Sequence, residues 1–221
     1  MNMNFFDEGK TICVCCQERV CNNDMQVICG DIGVCKICST KLMPVAKDSP
    51  FEGTPDVDYV LSAYYYNKAI KRLTHRYKFS CENMIGNLFA AMLYERIKEV
   101  PVFSDFDFIV AMPLSRKRLK ERSFNQAEVI AQRLSEYMGI PHISCVFRSK
   151  HTLAQSTLRA HERVKNIANA FVADKTKVRG KRILLVDDIF TTGSTMNSCA
   201  KELKENGALS VVGITFAKVY R

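Results

Sequence analysis

Four consecutive apolar residues, Ile183, Leu184, Leu185 and Val186, end in two adjacent carboxylates, Asp187 and Asp188, followed by Ile189-Phe190-Thr191-Thr192-Gly193-Ser194-Thr195. A buried strand, a polar turn of small hydroxylated residues around one glycine, and a helical pattern after it are the parts from which α/β proteins build phosphate sites. Adjacent acids on an extended or turning backbone cannot both point the same way. They suit gripping a vicinal diol or metal-bound waters better than sharing a proton. Residues 191–195 offer consecutive backbone N–H groups and four hydroxyls, and Gly193 allows close approach, which fits a phosphate monoester. The chain has no GxxxxGK[ST] run, and no GxGxxG follows a strand, so the loop is neither a Walker loop nor a dinucleotide fingerprint. Diol and phosphate recognised side by side point to a phosphorylated ribose.

Apolar periodicity around this run gives the fold class. Strands are expected near 57–66, 106–111, 183–186 and 211–216. Helices are expected from residue 68, over 84–98, 125–138 and 194–206, the last stopping at Gly207. Short apolar strands alternating with helices predict an α/β domain, a mostly parallel sheet flanked by helices. Directly after strand 106–111 comes Met112-Pro113-Leu114-Ser115 and then Arg116, Lys117, Arg118, Lys120 and Arg122. Five cations at a strand end exceed what solubility asks. Arg116 and Lys117 there are placed to meet a pyrophosphate, the second phosphate group on the ribose.

Seven of the ten cysteines fall within residues 13–38, and Cys13-x2-Cys16 and Cys35-x2-Cys38 repeat one spacing twice. Two such knuckles bring four thiolates to a zinc tetrahedron, a structural site because no position is left for water. Cys15, Cys21 and Cys29 are surplus, and Cys81, Cys145 and Cys199 read as small core fillers. Residues 1–45 thus form a zinc-binding head, 46–58 a linker with prolines, a glycine and acidic side chains, and 59–221 the main domain. Residues 1–60 carry five Lys/Arg against nine Asp/Glu, whereas 61–221 carry 27 against 14. Any polyanion is therefore expected on the larger domain. No run of 18 apolar residues and no secretory leader is present, which predicts a cytoplasmic protein without membrane insertion. The polar segment 148–166 has the composition of either a ligand-covering lid or a nucleic-acid track. His75, His142, His151 and His161 have no metal spacing.

The run 183–195 resembles the phosphoribosyl pyrophosphate (PRPP) signature of type I phosphoribosyltransferases. The whole chain resembles the ComF family of late-competence proteins. The likeness runs through Cys35-Lys-Ile-Cys38, His75 to Phe79, Met112-Pro113-Leu114, Arg118, Arg122, Phe124-Asn125-Gln126, Thr152, Gln155, Arg163, Asn166 and Gly207-Ala208. The resemblance implies a Rossmann-like type I phosphoribosyltransferase core. In it Asp187 and Asp188 would hold the ribose hydroxyls, and Thr191, Thr192, Gly193, Ser194 and Thr195 the 5′-phosphate. Leu114, Ser115, Arg116 and Lys117 would hold pyrophosphate with Mg²⁺. Asp187, Asp188 and Arg116 would be the catalytic residues if PRPP is turned over. Lys78, Arg118, Arg122, Gln155, Arg159 and Arg163 are lid or DNA candidates. The family also implies handling of imported single-stranded DNA in natural transformation, with a ComFA-like competence helicase as partner. The alternative is an active transferase with an unknown acceptor and no DNA role. The chain departs from the family at Ser123, where a glycine is usual, and at Ser80-Cys81-Glu82-Asn83.

Overall fold

The computed structural model describes residues 9–46, 53–79, 83–98, 100, 105–149 and 170–220. Residues 150–166 of the polar lid-or-track segment lie outside the described residues, and with them Thr152, Gln155, Arg159, Arg163, Asn166, His151 and His161; so do Cys81 and residues 47–52 of the expected linker.

The head is a four-stranded sheet made from β1 (Lys10–Cys13), β2 (Arg19–Cys21), β3 (Met25–Cys29) and β4 (Ile32–Cys35), in the order β2-β1-β4-β3. The short helix α1 (Lys36–Ser39) follows it. The body is a parallel sheet of β5 (Tyr59–Tyr65), β6 (Phe108–Ala111), β9 (Arg182–Phe190) and β10 (Ser210–Lys218), ordered β5-β10-β9-β6. A two-stranded antiparallel ribbon, β7 (Val146–Arg148) with β8 (Phe171–Ala173), stands apart from it. The helices are α2 (Lys68–Phe79), α3 (Asn83–Ile97), α4 (Arg116–Arg122), α5 (Gln126–Met138), α6 (Lys175–Val178) and α7 (Ser194–Glu205). The strands and helices read from periodicity are all present. The charged stretch after Pro113 is a helix rather than a loop, and β9 runs four residues past Val186, through both acids. Its lateral partners explain the extension: Thr215, Ala217 and Lys218 of β10 pair with Asp187, Ile189 and Phe190.

Helix α3 is the hub. It is buried on nearly all sides, with Ile85, Leu88, Phe89, Leu93 and Ile97 inaccessible, because the sheet, α5 and the head all pack on it. Phe89 stacks on Phe216 of β10 with centroids 3.7 Å apart, and Tyr77 meets Phe89 edge-on at 5.3 Å. A Cβ on Gly86 would lie 2.3 Å from Tyr77 Oη and 2.7 Å from Val129, so α3 can approach α2 and α5 this closely only with glycine there. Head and body share one apolar cluster, in which Val14, Met25 and Val34 join the residues of α3 and the sheet. Arg76 Nη1 donates to Val14 O at 2.7 Å, and Arg96 donates to Val45 O.

The end of the head and residues 53–58 of the expected linker are both tied down. Residues 43–45 run antiparallel along β5 through Val45 N–H to Ala63 O and Tyr65 N–H to Met43 O. Asp56 and Asn197 of α7 exchange two hydrogen bonds of 2.9 Å, from Asp56 N–H to Asn197 Oδ1 and from Asn197 Nδ2 to Asp56 Oδ2. Asp58 accepts from Lys204, Ser210 and Val211.

Helix α4 ends at Ser123, which has φ +66°. The left-handed conformation costs an L-residue about 1 kcal/mol or more, which explains why glycine is the easier choice here. Ser123→Gly is expected to raise the melting temperature by about 2–4 °C without altering the site, measurable by calorimetry. An unchanged or lower value would show that the serine side chain compensates.

Candidate ribose-phosphate site

The carboxyl ends of β6, β9 and β10 open onto a cavity of about 350 Å³ that contains Asp187 and Asp188 together with Lys78, Arg118, Arg122 and Arg148. Ligands of α/β sheets bind at this end of the strands. The volume is at the lower end of the usual range for ligand pockets, about 300–1,000 Å³.

The two acids lie in extended strand and diverge. Asp188 turns toward α2, where its Oδ2 is 2.8 Å from Lys78 Nζ, with both side chains mostly buried. Asp187 turns toward α7 and Arg148, and its Oδ1 accepts the N–H of Asp188 at 2.8 Å. Burial, reinforced by the neighbouring Asp188, pushes the Asp187 carboxyl up to about 7. Burial and the Arg118 guanidinium lower the basicity of Arg148, and its Nε has no hydrogen-bond partner although it is inaccessible. Four cations face two carboxylates, one of them reluctant to ionise. The cavity therefore favours a ligand that is itself strongly anionic.

The Phe124-Asn125-Gln126 run acts as a brace behind these cations. Asn125 caps α5 through Ala127 N–H (3.2 Å), and its Nδ2 donates to Met112 O (3.0 Å), fixing the turn at Pro113. Buried Gln126 accepts Arg122 Nη1 on its Oε1 (2.9 Å), and its carbonyl accepts the Tyr77 hydroxyl (2.7 Å). Phe124 packs on Tyr77 at 5.5 Å. Tyr77 is fully buried, which leaves it no room to stack on a base.

Behind Phe190, Gly193 takes φ +76° and caps α7. A Cβ there would lie 2.7 Å from Phe190 and 3.0 Å from Thr54, so the loop needs glycine twice over. Thr191 and Thr195 line the cavity, whereas the Thr192 and Ser194 hydroxyls bond each other at 2.9 Å. The first-turn N–H groups of α7 open at this loop, and a helix N-terminus is where anions are generally held.

Of the expected pyrophosphate residues, Leu114 borders this cavity and Ser115 caps α4 by accepting Arg118 N–H (3.3 Å). Arg116 and Lys117 do not join the acids. Helical spacing turns them to the other side of α4, over a second cavity, and brings Arg118 and Arg122 in instead. Lys78, read only as a lid or DNA candidate, is the partner of Asp188. Tyr66, just past the end of β5, and Arg148 also line this cavity; Arg148 ends β7, a three-residue strand that only its pairing with β8 defines.

In the head, the sulfurs of Cys13, Cys16, Cys35 and Cys38 all lie within 4.8 Å of one another. A zinc ion with Zn–S bonds of about 2.3 Å needs sulfurs about 3.8 Å apart, so a small contraction completes the tetrahedron. Cys35 N–H points at Cys13 Sγ and Cys38 N–H at Cys35 Sγ, each at 3.4 Å. Burial opposes the Cys13 thiolate, but N–H groups of Cys35, Cys16 and Cys15 outweigh it and bring the thiol down to about 6. The donor set therefore fits structural zinc. Cys145 and Cys199 are fully buried, as expected of fillers.

This sheet and strand-end cavity define a phosphoribosyltransferase-fold protein, and residues 120–219 match the phosphoribosyl transferase domain family. Among solved structures, the chain is similar to the glutamine PRPP amidotransferase of B. subtilis, with 20% identity, 66% of this chain and 27% of that one covered, and a TM-score of 0.40. Competence protein F of Haemophilus influenzae is 31% identical over 181 residues, covering 78% of this chain and 79% of that protein. The DNA utilization protein YhgH of Escherichia coli is 28% identical over 207 residues, covering 85% and 91%. Competence protein ComFC of Streptococcus pneumoniae is 33% identical over 149 residues, covering 67% and 63%. The chain belongs to the ComF family. Among the described residues no helix is long and apolar enough to cross a membrane.

Proposed function

We propose that the protein binds PRPP with Mg²⁺ in the cavity of Asp187 and Asp188 and acts on single-stranded DNA imported during natural transformation. The observation that carries the PRPP reading is the division of labour across one strand end. Two diverging carboxylates stand beside a glycine-capped helix N-terminus, and Lys78, Arg118, Arg122 and Arg148 line the same cavity. In this reading Asp187 and Asp188 accept from the ribose 2′ and 3′ hydroxyls, and the first turn of α7 donates to the 5′-phosphate. Arg118, Arg122, Arg148 and Lys78 face the diphosphate. Mg²⁺ prefers hard oxygen donors, which the two carboxylates and a diphosphate provide, and when bound it would offset part of the diphosphate charge. The DNA reading is supported by the names of the relatives and by the excess of basic residues in the body.

A second reading, turnover, is favoured by the same cations. They are placed to stabilise pyrophosphate as it leaves C1 of the ribose. Titration calorimetry with PRPP and Mg²⁺, run beside pyrophosphate-release assays with and without a single-stranded oligonucleotide, tests both. Saturable binding that is lost in the Asp187→Asn/Asp188→Asn double variant is expected. Absence of PRPP binding would sink the first reading, and release no faster than in the double variant would sink the second.

A further inference from the structure

The largest cavity among those described is not the one that holds the acids. On the opposite side of α4 lies a space of about 570 Å³, bordered by Arg116, Lys117, Glu128, Phe147 and Arg148, which shares only Pro113, Leu114 and Arg148 with the ribose-phosphate cavity. Helix α4 is therefore a cationic partition, with Arg118 and Arg122 serving one side and Arg116 and Lys117 the other. Two features separate the second space from a mere extension for pyrophosphate. Phe147 has 53% of its surface exposed, although it sits on a strand beside Val172, and a bare diphosphate gains nothing from an aromatic face. Glu128 places a carboxylate on the wall, 3.4 Å from His142 Nε2, where it would repel a bare polyphosphate. An aromatic platform, a carboxylate able to accept from ring N–H groups, and a pair of exposed cations together match a nucleotide.

We infer that this cavity is a second ligand site that takes a nucleotide, with its base on Phe147 and its phosphate on Arg116 and Lys117. The nucleotide is either a free mononucleotide or one unit of a single strand. Either way it lies next to the ribose-phosphate cavity, across the wall formed by Pro113 and Leu114. The site does not depend on PRPP being the neighbouring ligand.

The chain has no tryptophan, so the fluorescence of 2-aminopurine can be read without an indole background. Two probes separate the sources: 2-aminopurine deoxynucleoside 5′-monophosphate and a short single-stranded oligonucleotide carrying the same base. Phe147→Ala is expected to weaken binding at least fivefold, the lower end of what base–aromatic stacking contributes. It should leave PRPP affinity unchanged. Arg116→Ser/Lys117→Ser should weaken binding and flatten its salt dependence, and Asp187→Asn should do neither. Phe147-dependent binding of the monophosphate assigns a free nucleotide, and Phe147-dependent binding of the oligonucleotide alone assigns a strand. The inference is overturned if neither probe binds, if Phe147→Ala changes nothing, or if inorganic pyrophosphate displaces the probe while nucleotides do not.

Discussion

Stripping zinc with a strong chelator is expected to lower the melting temperature of the whole protein by more than 10 °C, in a single transition. A structural four-thiolate zinc contributes about 10–16 kcal/mol of binding free energy at neutral pH in small zinc domains, so its loss unfolds the strands that hold it. In this chain those strands do not end a separate module. Val14, Met25 and Val34 belong to the same apolar cluster as α3, and Arg76 of α2 reaches the carbonyl of Val14. Losing the head thus strips one side of the hub helix. Calorimetry on metal-loaded and chelated protein, with zinc analysis, checks this. Cys16→Ser should lose the metal and Cys15→Ser should keep it. Two separate transitions, or an unmoved melting temperature after complete removal of zinc, would refute the shared-core account.

The second large effect concerns the twin acids, which are expected to respond to neutralisation in opposite directions. The Asp187 carboxyl is held up at about 7, above its ordinary 3.8, so between those values the native state binds more protons than the unfolded one. Stability contributed by the protonated group is present below about pH 4 and is lost as pH rises toward 7. Asp187→Asn removes that loss and should stabilise the protein at pH 8 by on the order of 1–3 kcal/mol, with little gain at pH 4. Asp188→Asn leaves the mostly buried Lys78 without its partner and should cost about 3 kcal/mol. Both variants should lose PRPP affinity at least tenfold, since each removes a charge-assisted hydrogen bond to a hydroxyl. Denaturant unfolding of the two variants at pH 5 and pH 8 distinguishes the cases. Equal destabilisation by both would contradict the divergent geometry.

The parts of the site that are local in sequence were readable there. Residues 183–195 carry their strand, turn and cap signals within one short stretch, and the knuckles repeat their own spacing. What depends on distant pairing was not readable. The continuation of β9 through Asp187 and Asp188 is set by β10, and acidic residues give no strand signal of their own. Helix α4 has no buried residue and so no apolar stripe; the Ser115 cap and the left-handed Ser123 define it instead. The helix turns Arg116 and Lys117 to line a different cavity from Arg118 and Arg122, a division that the run of charges alone does not show. The strands β7 and β8 are three residues long and each presents an exposed apolar side chain, so Arg148 lacked a context that marked it.

The reciprocal pair between Asp56 and Asn197 bears on how this protein can be dissected. Thr54 backs Gly193 in the loop after β9, Asp56 holds the first turns of the helix behind that loop, and Asp58 grips the start of β10. All three belong to the stretch joining head to body. A truncation that begins at the first body strand therefore removes the scaffolding of the loop around Gly193 along with the four-cysteine cluster. Loss of ligand binding in such a fragment would say nothing about the metal itself. Boundary choice, more than metal content, would decide whether an isolated catalytic-type domain works.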